Sequence, residues 1–249
     1  MGAEPGTGTP PGREIVVLNR GVGGNSSRDG LARFQRDVEA AHPQHLILYF
    51  GINDALNSSK LVPLAEFRAN LQAMVDRARS LGVRTIVLTT PNPIVASYVK
   101  ARHPNHPQAD LEAYLAGYDA AVRDLARADD LLLADLGREI RQSGVPVEDA
   151  RSVIRNEANS RSADGVHLTA AGNRLLAGTC ARLLAGRAAP GETVLCFGDS
   201  ITFGAHVPGA GSACGQTYPA WLWYFLNRPL GVAQGDAPPA AGTPATANR

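Results

Sequence analysis

Apolar residues along this chain keep two rhythms. Unbroken runs of four or five β-branched and apolar residues occur at Ile15–Leu18, Leu46–Phe50, Thr85–Leu88, Leu131–Ala134 and Val194–Phe197. A continuous run, unlike an alternating one, suits a strand covered on both faces, as in a parallel sheet. Between the runs the spacing turns helical. Phe67, Leu71, Met74, Val75, Ala78 and Leu81 form one stripe, with Pro63 suited to the first turn and Gly82 to the C-terminal cap. Leu111, Tyr114, Leu115, Tyr118, Val122 and Leu125 form a second; Leu175, Leu176, Thr179, Cys180 and Leu183, capped by Thr169, form a third. Strand–helix alternation of this kind predicts a doubly wound α/β sandwich, a five-stranded parallel sheet with right-handed crossovers.

The two ends break the rhythm. Residues 1–12 and 229–249 are rich in Pro, Gly, Ala and Thr and carry too few large apolar side chains to order themselves. The expected organisation is therefore a flexible segment at 1–12, one domain at 13–228 and a flexible tail at 229–249. With 249 residues the chain is long enough for a substantial core, and 24 basic against 23 acidic residues leave a net charge of +1. That balance gives no footprint for nucleic acid or an anionic membrane. No apolar run reaches the length of a membrane span, and MGAEPGTGTPPG lacks the features of a secretion signal, so a cytoplasmic location is expected. Cys180, Cys196 and Cys214 are odd in number, and the first two sit in apolar patterns, as buried free thiols do.

Doubly wound sheets bind ligands beyond the carboxyl ends of their strands. After the first strand comes Asn19-Arg-Gly-Val-Gly-Gly24, after the second Gly51-Ile-Asn53-Asp54, and after the last Gly198-Asp199-Ser200. A fourth motif, Asp164-Gly165-Val166-His167, stands just before the third helical stripe. Singly, each reads as a turn or cap; together they supply acyl-transfer chemistry. Ser200 can attack, His167 can take its proton, and Asp164 can hold the far imidazole nitrogen. The Ser200 and Gly24 backbone N–H groups and the Asn53 amide can receive the oxyanion.

These four blocks resemble the SGNH hydrolases, the GDSL esterase/lipase family, which carry Ser, Gly, Asn and His in four such blocks. The resemblance extends to Gly215-Gln-Thr-Tyr-Pro219 and implies a three-layer, flavodoxin-like α/β/α fold. It implies catalysis by Ser200, His167 and Asp164, with Ser200, Gly24 and Asn53 as the oxyanion hole. One departure is large: the family places its serine block first, whereas here the order is glycine, asparagine, histidine, serine. Cyclic order is kept, so the chain looks circularly permuted, with the family's two ends joined near residues 185–192. The last strand should then insert between the first and second, giving the sheet order 1-5-2-3-4.

Asp199, Asn92, Pro93, Ile94 and Val166 are expected to touch substrate, the residues after the third strand forming one wall of the site. The family implies a small-molecule acyl ester as substrate, and short acyl, acetyl-type esters fit the absence of a long apolar lid. A lysophospholipase or thioesterase is the alternative. No cofactor and no metal are expected: His103 and His106 are split by prolines in a polar loop and lack zinc-ligand spacing. A nucleotide-binding Rossmann-like module fits poorly, because Ser26 stands where its third glycine belongs and Tyr49-Phe50 end the next strand without an acid. In the closing helix Tyr218, Trp221, Leu222 and Phe225 form a core stripe, and its C-terminal end is expected to be loosely tied. Trp223 and Tyr224 lie off that stripe and suggest a surface for weak homo-oligomerisation.

Overall fold

A computed structural model describes residues 14–228, and the terminal segments expected to be flexible lie outside them. The elements follow in chain order as β1 (Val16–Gly21), α1 (Ser27–Asp37), β2 (His45–Tyr49), α2 (Ile52–Leu56), α3 (Leu64–Ser80), β3 (Thr85–Thr89), α4 (Ala96–Arg102) and α5 (Leu111–Ala128). Then come β4 (Leu132–Ala134), α6 (Leu136–Gln142), α7 (Glu157–Ser160), α8 (Ala170–Leu184), β5 (Thr193–Gly198), α9 (Ser200–Phe203) and α10 (Tyr218–Asn227). Each apolar run became a strand, and each helical stripe a helix. Thr169 caps α8 by accepting from the Gly172 N–H, and Gly82 takes the left-handed conformation just past α3.

All five strands run parallel in the order β1-β5-β2-β3-β4. Moves from β1 to β2, β3 and β4 go one way across the sheet, so right-handed crossovers put α1, α3 and α5 together on one face. The return from β4 to β5 goes the other way and places α8, with α10, on the opposite face. Every residue of β2 is buried, as is β5 beyond Thr193. Edge strand β4 is only half-covered at Leu132 and Leu133. The aromatic centre of the core is Phe197, with Phe34 and Phe50 edge-on to it at 5.8 and 5.5 Å between ring centres.

The end of α10 is not loose. Asn227 accepts the Ile15 N–H at 2.7 Å and donates to the Ile15 carbonyl at 3.0 Å, clasping the last helix to the start of β1. Tyr218 and Leu222 are fully buried against the sheet, while Trp223 and Tyr224 are half-buried, with Arg228 over the Trp223 ring. No helix among the described residues is long and apolar enough to cross a membrane. Cys180 and Cys196 are buried, and all three cysteines are unpaired thiols.

Candidate active site

Because β5 lies between β1 and β2, the three turns that follow these strands meet at one edge of the sheet. Gly198 makes the tightest of them possible. A Cβ there would stand 2.2 Å from Thr202 Oγ1 and 2.5 Å from the Tyr49 carbonyl, so only glycine lets β5 turn directly into α9. Asp199 caps that helix through the Ile201 N–H at 2.8 Å, which leaves Ser200 at its first position with its side chain in the cleft.

His167 reaches Ser200 from a loop built as a two-stranded clip. Arg155 N–H donates to the His167 carbonyl, Thr169 N–H to Val153, and Gly165 N–H to Arg155, so 153–155 and 165–169 brace each other. Asp164 then turns the loop, accepting the Val166 and His167 N–H groups at 3.0 and 2.9 Å. Its two oxygens lie 3.0 Å from His167 Nδ1, and His167 Nε2 lies 2.9 Å from Ser200 Oγ. With its proton on Nδ1, the imidazole offers the Nε2 lone pair to the serine hydroxyl. Burial works against the Asp164 charge. The His167 hydrogen bond and charge, with the two backbone N–H donors, outweigh it and hold the carboxyl well below the usual carboxylate range.

The other two turns carry further donors. Gly24 has φ +74, a conformation that favours glycine, and neither its N–H nor that of Ser200 has a protein acceptor among the described residues. Asn53 Nδ2 is aligned by the Asn25 carbonyl at 3.1 Å and by Asp199 Oδ2 at 3.3 Å. Asp199 is fully buried, and that burial pushes its carboxyl up to about 7 even though the Ile201 N–H works the other way.

Two arginines and a histidine in this region carry no sequence signal of their own. Arg33 on α1 is a buried strut: Nε donates to Asn25 Oδ1 at 2.7 Å, Nη1 to the Arg20 carbonyl and Asp37, and Nη2 to the Gly198 carbonyl at 2.7 Å. It stacks over Phe197 at 4.2 Å, so one guanidinium ties the glycine-rich turn to the serine turn. Arg155 places Nε 3.4 Å from Asp164 Oδ2, an ionic contact without hydrogen-bond alignment. His206 lies edge-on to His167, 4.8 Å between ring centres.

A model of the GDSL-like Lipase/Acylhydrolase family matches residues 8–175, more than half of the chain, and the match stops short of Ser200. The chain belongs to the GDSL-like lipase/acylhydrolase family. Acetylxylan esterase of Geobacillus stearothermophilus is 30% identical over 128 residues, 49% of this chain and 54% of that protein. The human isoamyl acetate-hydrolyzing esterase 1 homolog is 25% identical over 175 residues, 66% of each chain. The chain thus spans between about half and two thirds of the length of these curated relatives. A solved lipase/acylhydrolase from Enterococcus faecalis shares the fold, with a TM-score of 0.50 at 24% identity over 66% of this chain and 72% of that one.

Within this GDSL-like fold the expected substrate contacts separate. Val166 lines the cleft beside Ser200, together with Ile52, Leu56 and Val99. Asn92 does not: it is fully buried, accepts the Tyr49 hydroxyl at 2.6 Å and donates to the carbonyls of Pro93 and Val166. It is absent from the cleft lining, so it braces the His167 loop and does not reach substrate. Pro93 and Ile94 line a different cavity, against Leu115, Ile140 and Val147. Asp199, sealed behind Asn53 and Ile201, contacts the helix cap and the amide but not the cleft. The stretch after the third strand does form one wall, as expected, but through Val99, Arg102 and His103 rather than Asn92, Pro93 and Ile94.

Proposed function

We propose that this GDSL-like protein is a serine esterase that hydrolyses short, acetyl-type carboxylic esters of small molecules through an acyl-enzyme on Ser200. The observation that carries the reading is the unbroken line from Ser200 Oγ through the imidazole of His167 to Asp164, already at hydrogen-bond length. His167 takes the serine proton as Oγ attacks the ester carbonyl and returns it to the departing alkoxide. Water then repeats the cycle on the acyl-enzyme. Asp164 keeps the imidazole in the productive tautomer and stabilises its cation. The free N–H groups of Ser200 and Gly24, with the Asn53 amide once it exchanges its long 3.3 Å bond to Asp199 for substrate, receive the negative charge that develops on the carbonyl oxygen. These steps require no metal or cofactor.

Acyl length is argued from the cleft, which holds about 380 Å³ and has only Ile52, Leu56, Val99 and Val166 as its large apolar side chains. An acetyl group fills such a wall, whereas a long chain would remain in water. Acetylxylan and isoamyl acetate in the names of two relatives agree with this preference. A series of p-nitrophenyl esters tests it: kcat/KM is expected to fall at least tenfold from the acetate to the octanoate. A rise along the series would favour the lysophospholipase or thioesterase reading.

We also propose that the chain is a circular permutant of the family's usual order. Supporting this are the interior position of the last strand between the first and second, the family match that ends before the serine turn, and the clasp between Asn227 and Ile15.

A further inference from the structure

His206 has an unusual backbone and an uncommitted side chain. Its φ is +68, in the left-handed region that is strained for a non-glycine residue. That conformation holds a half-exposed imidazole against the catalytic pair: the ring sits 4.8 Å from His167, and Nε2 lies 3.7 Å from Asp164 Oδ2. Among the described residues neither ring nitrogen has a hydrogen-bond partner, and no packing need accounts for a ring that is 53% exposed.

We propose that Asp164, His167 and His206 form an inhibitory site for a borderline-soft divalent cation, with Zn²⁺ the best fit. Their ligand atoms all lie within 4.8 Å of one another. Four ligands at zinc's usual bond lengths of about 2.0–2.2 Å stand about 3.4 Å apart, so a small rotation of the exposed His206 ring closes the set. Two imidazoles and one carboxylate suit zinc and not the hard cations Mg²⁺ or Ca²⁺, and the open side of the cleft leaves a fourth position for water. Arg155, 3.4 Å from Asp164, opposes the ion and keeps the affinity moderate, in the micromolar range.

Inhibition follows from proton placement and rests on His167 being the base. Nδ1 now donates to Asp164; to bind the ion it must offer its lone pair instead. The neutral imidazole keeps its single proton, which moves through solvent from Nδ1 to Nε2. Nε2 then faces Ser200 as a donor and can no longer accept the hydroxyl proton, so the nucleophile is silenced without being touched.

Two readouts separate this proposal from the esterase reading. Calorimetric titration of Ser200→Ala protein with ZnCl₂ needs no turnover, and one ion per chain with a micromolar Kd is expected. His206→Asn keeps a residue that tolerates the left-handed backbone and should weaken binding by more than about tenfold, whereas His103→Gln should not. In wild-type protein Zn²⁺, but not Mg²⁺ or Ca²⁺, should suppress p-nitrophenyl acetate hydrolysis. Chelator should reverse that loss, and in His206→Asn the inhibition curve, normalised to its own chelated rate, should shift by the same factor. No binding below about 1 mM, or a Kd indifferent to His206→Asn, would overturn the site. Binding without inhibition in a protein that does turn over ester would overturn the coordination through Nδ1.

Discussion

At the scale of single residues, the decisive features are small groups held in tight or buried positions. Gly198 has no substitute: in Gly198→Ala the added methyl meets the Thr202 hydroxyl and the Tyr49 carbonyl at 2.2 and 2.5 Å. The expected cost is about 1–3 kcal/mol in denaturant melts, with a loss of kcat because Ser200 shifts with the turn. Asn53→Ala should lower kcat by about 10²–10³ with KM little changed, since the amide bonds best to charge present only in the transition state. A raised KM at constant kcat would make Asn53 a binding residue only. Asp199 gives a pH signature. Its carboxyl is pushed up to about 7 by burial, above its unfolded value, so its contribution to stability is full below about pH 4 and is lost as pH rises through 7. Asp199→Asn cannot ionise and should flatten the fall in stability between pH 4.5 and 8 by on the order of 2–4 kcal/mol. An unchanged slope would show that Asp199 is not the titrating group. Asp54, raised to about 6 by burial, has the same sign and leaves a residual slope in the variant.

Elements were legible where chemistry and packing speak the same language. β5 showed itself because an unbroken apolar run leads into a glycine, an acid and a serine. α3, α5 and α8 showed themselves because their stripes are apolar, with Thr169 marking the start of α8 and Gly82 the end of α3. α1 did not, because the face it buries carries Arg33 and Asp37 alongside Phe34, and an arginine in a sequence reads as a surface position. The same blindness hid the role of Asn92, whose place after β3 suggests a ligand but whose amide is consumed by Tyr49, Pro93 and Val166. Long-range hydrogen bonds of this kind depend on which segments meet, and no local pattern reports that. Arg33→Met tests how far the α1 strut matters. It leaves the Arg20 and Gly198 carbonyls and the Asp37 carboxylate short of a donor, at a cost of about 3–5 kcal/mol, and should cut kcat as the glycine-rich and serine turns drift apart. Full stability in this variant would contradict the strut.

For the molecule as a whole, the sheet order was legible only through the cyclic order of four motifs, since the last strand inserts between the first and second. If the domain is a permuted GDSL-like fold, residues 192–228 placed ahead of 14–187 through a short flexible linker should refold with the same hydrolytic activity. An insoluble or inactive product would count against it. The Asn227 clasp should then become the site of the linker, and Asn227→Ala in the native order should cost about 1–2 kcal/mol. All of this positions one serine, and the central claim is that the serine is the nucleophile. Peptide mapping by mass spectrometry after treatment with a fluorophosphonate probe measures it directly. The account predicts one adduct per chain, on Ser200, formed slowly in His167→Ala and not at all in Ser200→Ala, which should also lose nearly all turnover of p-nitrophenyl acetate. An adduct on another residue, or ester hydrolysis undiminished in Ser200→Ala, would contradict it.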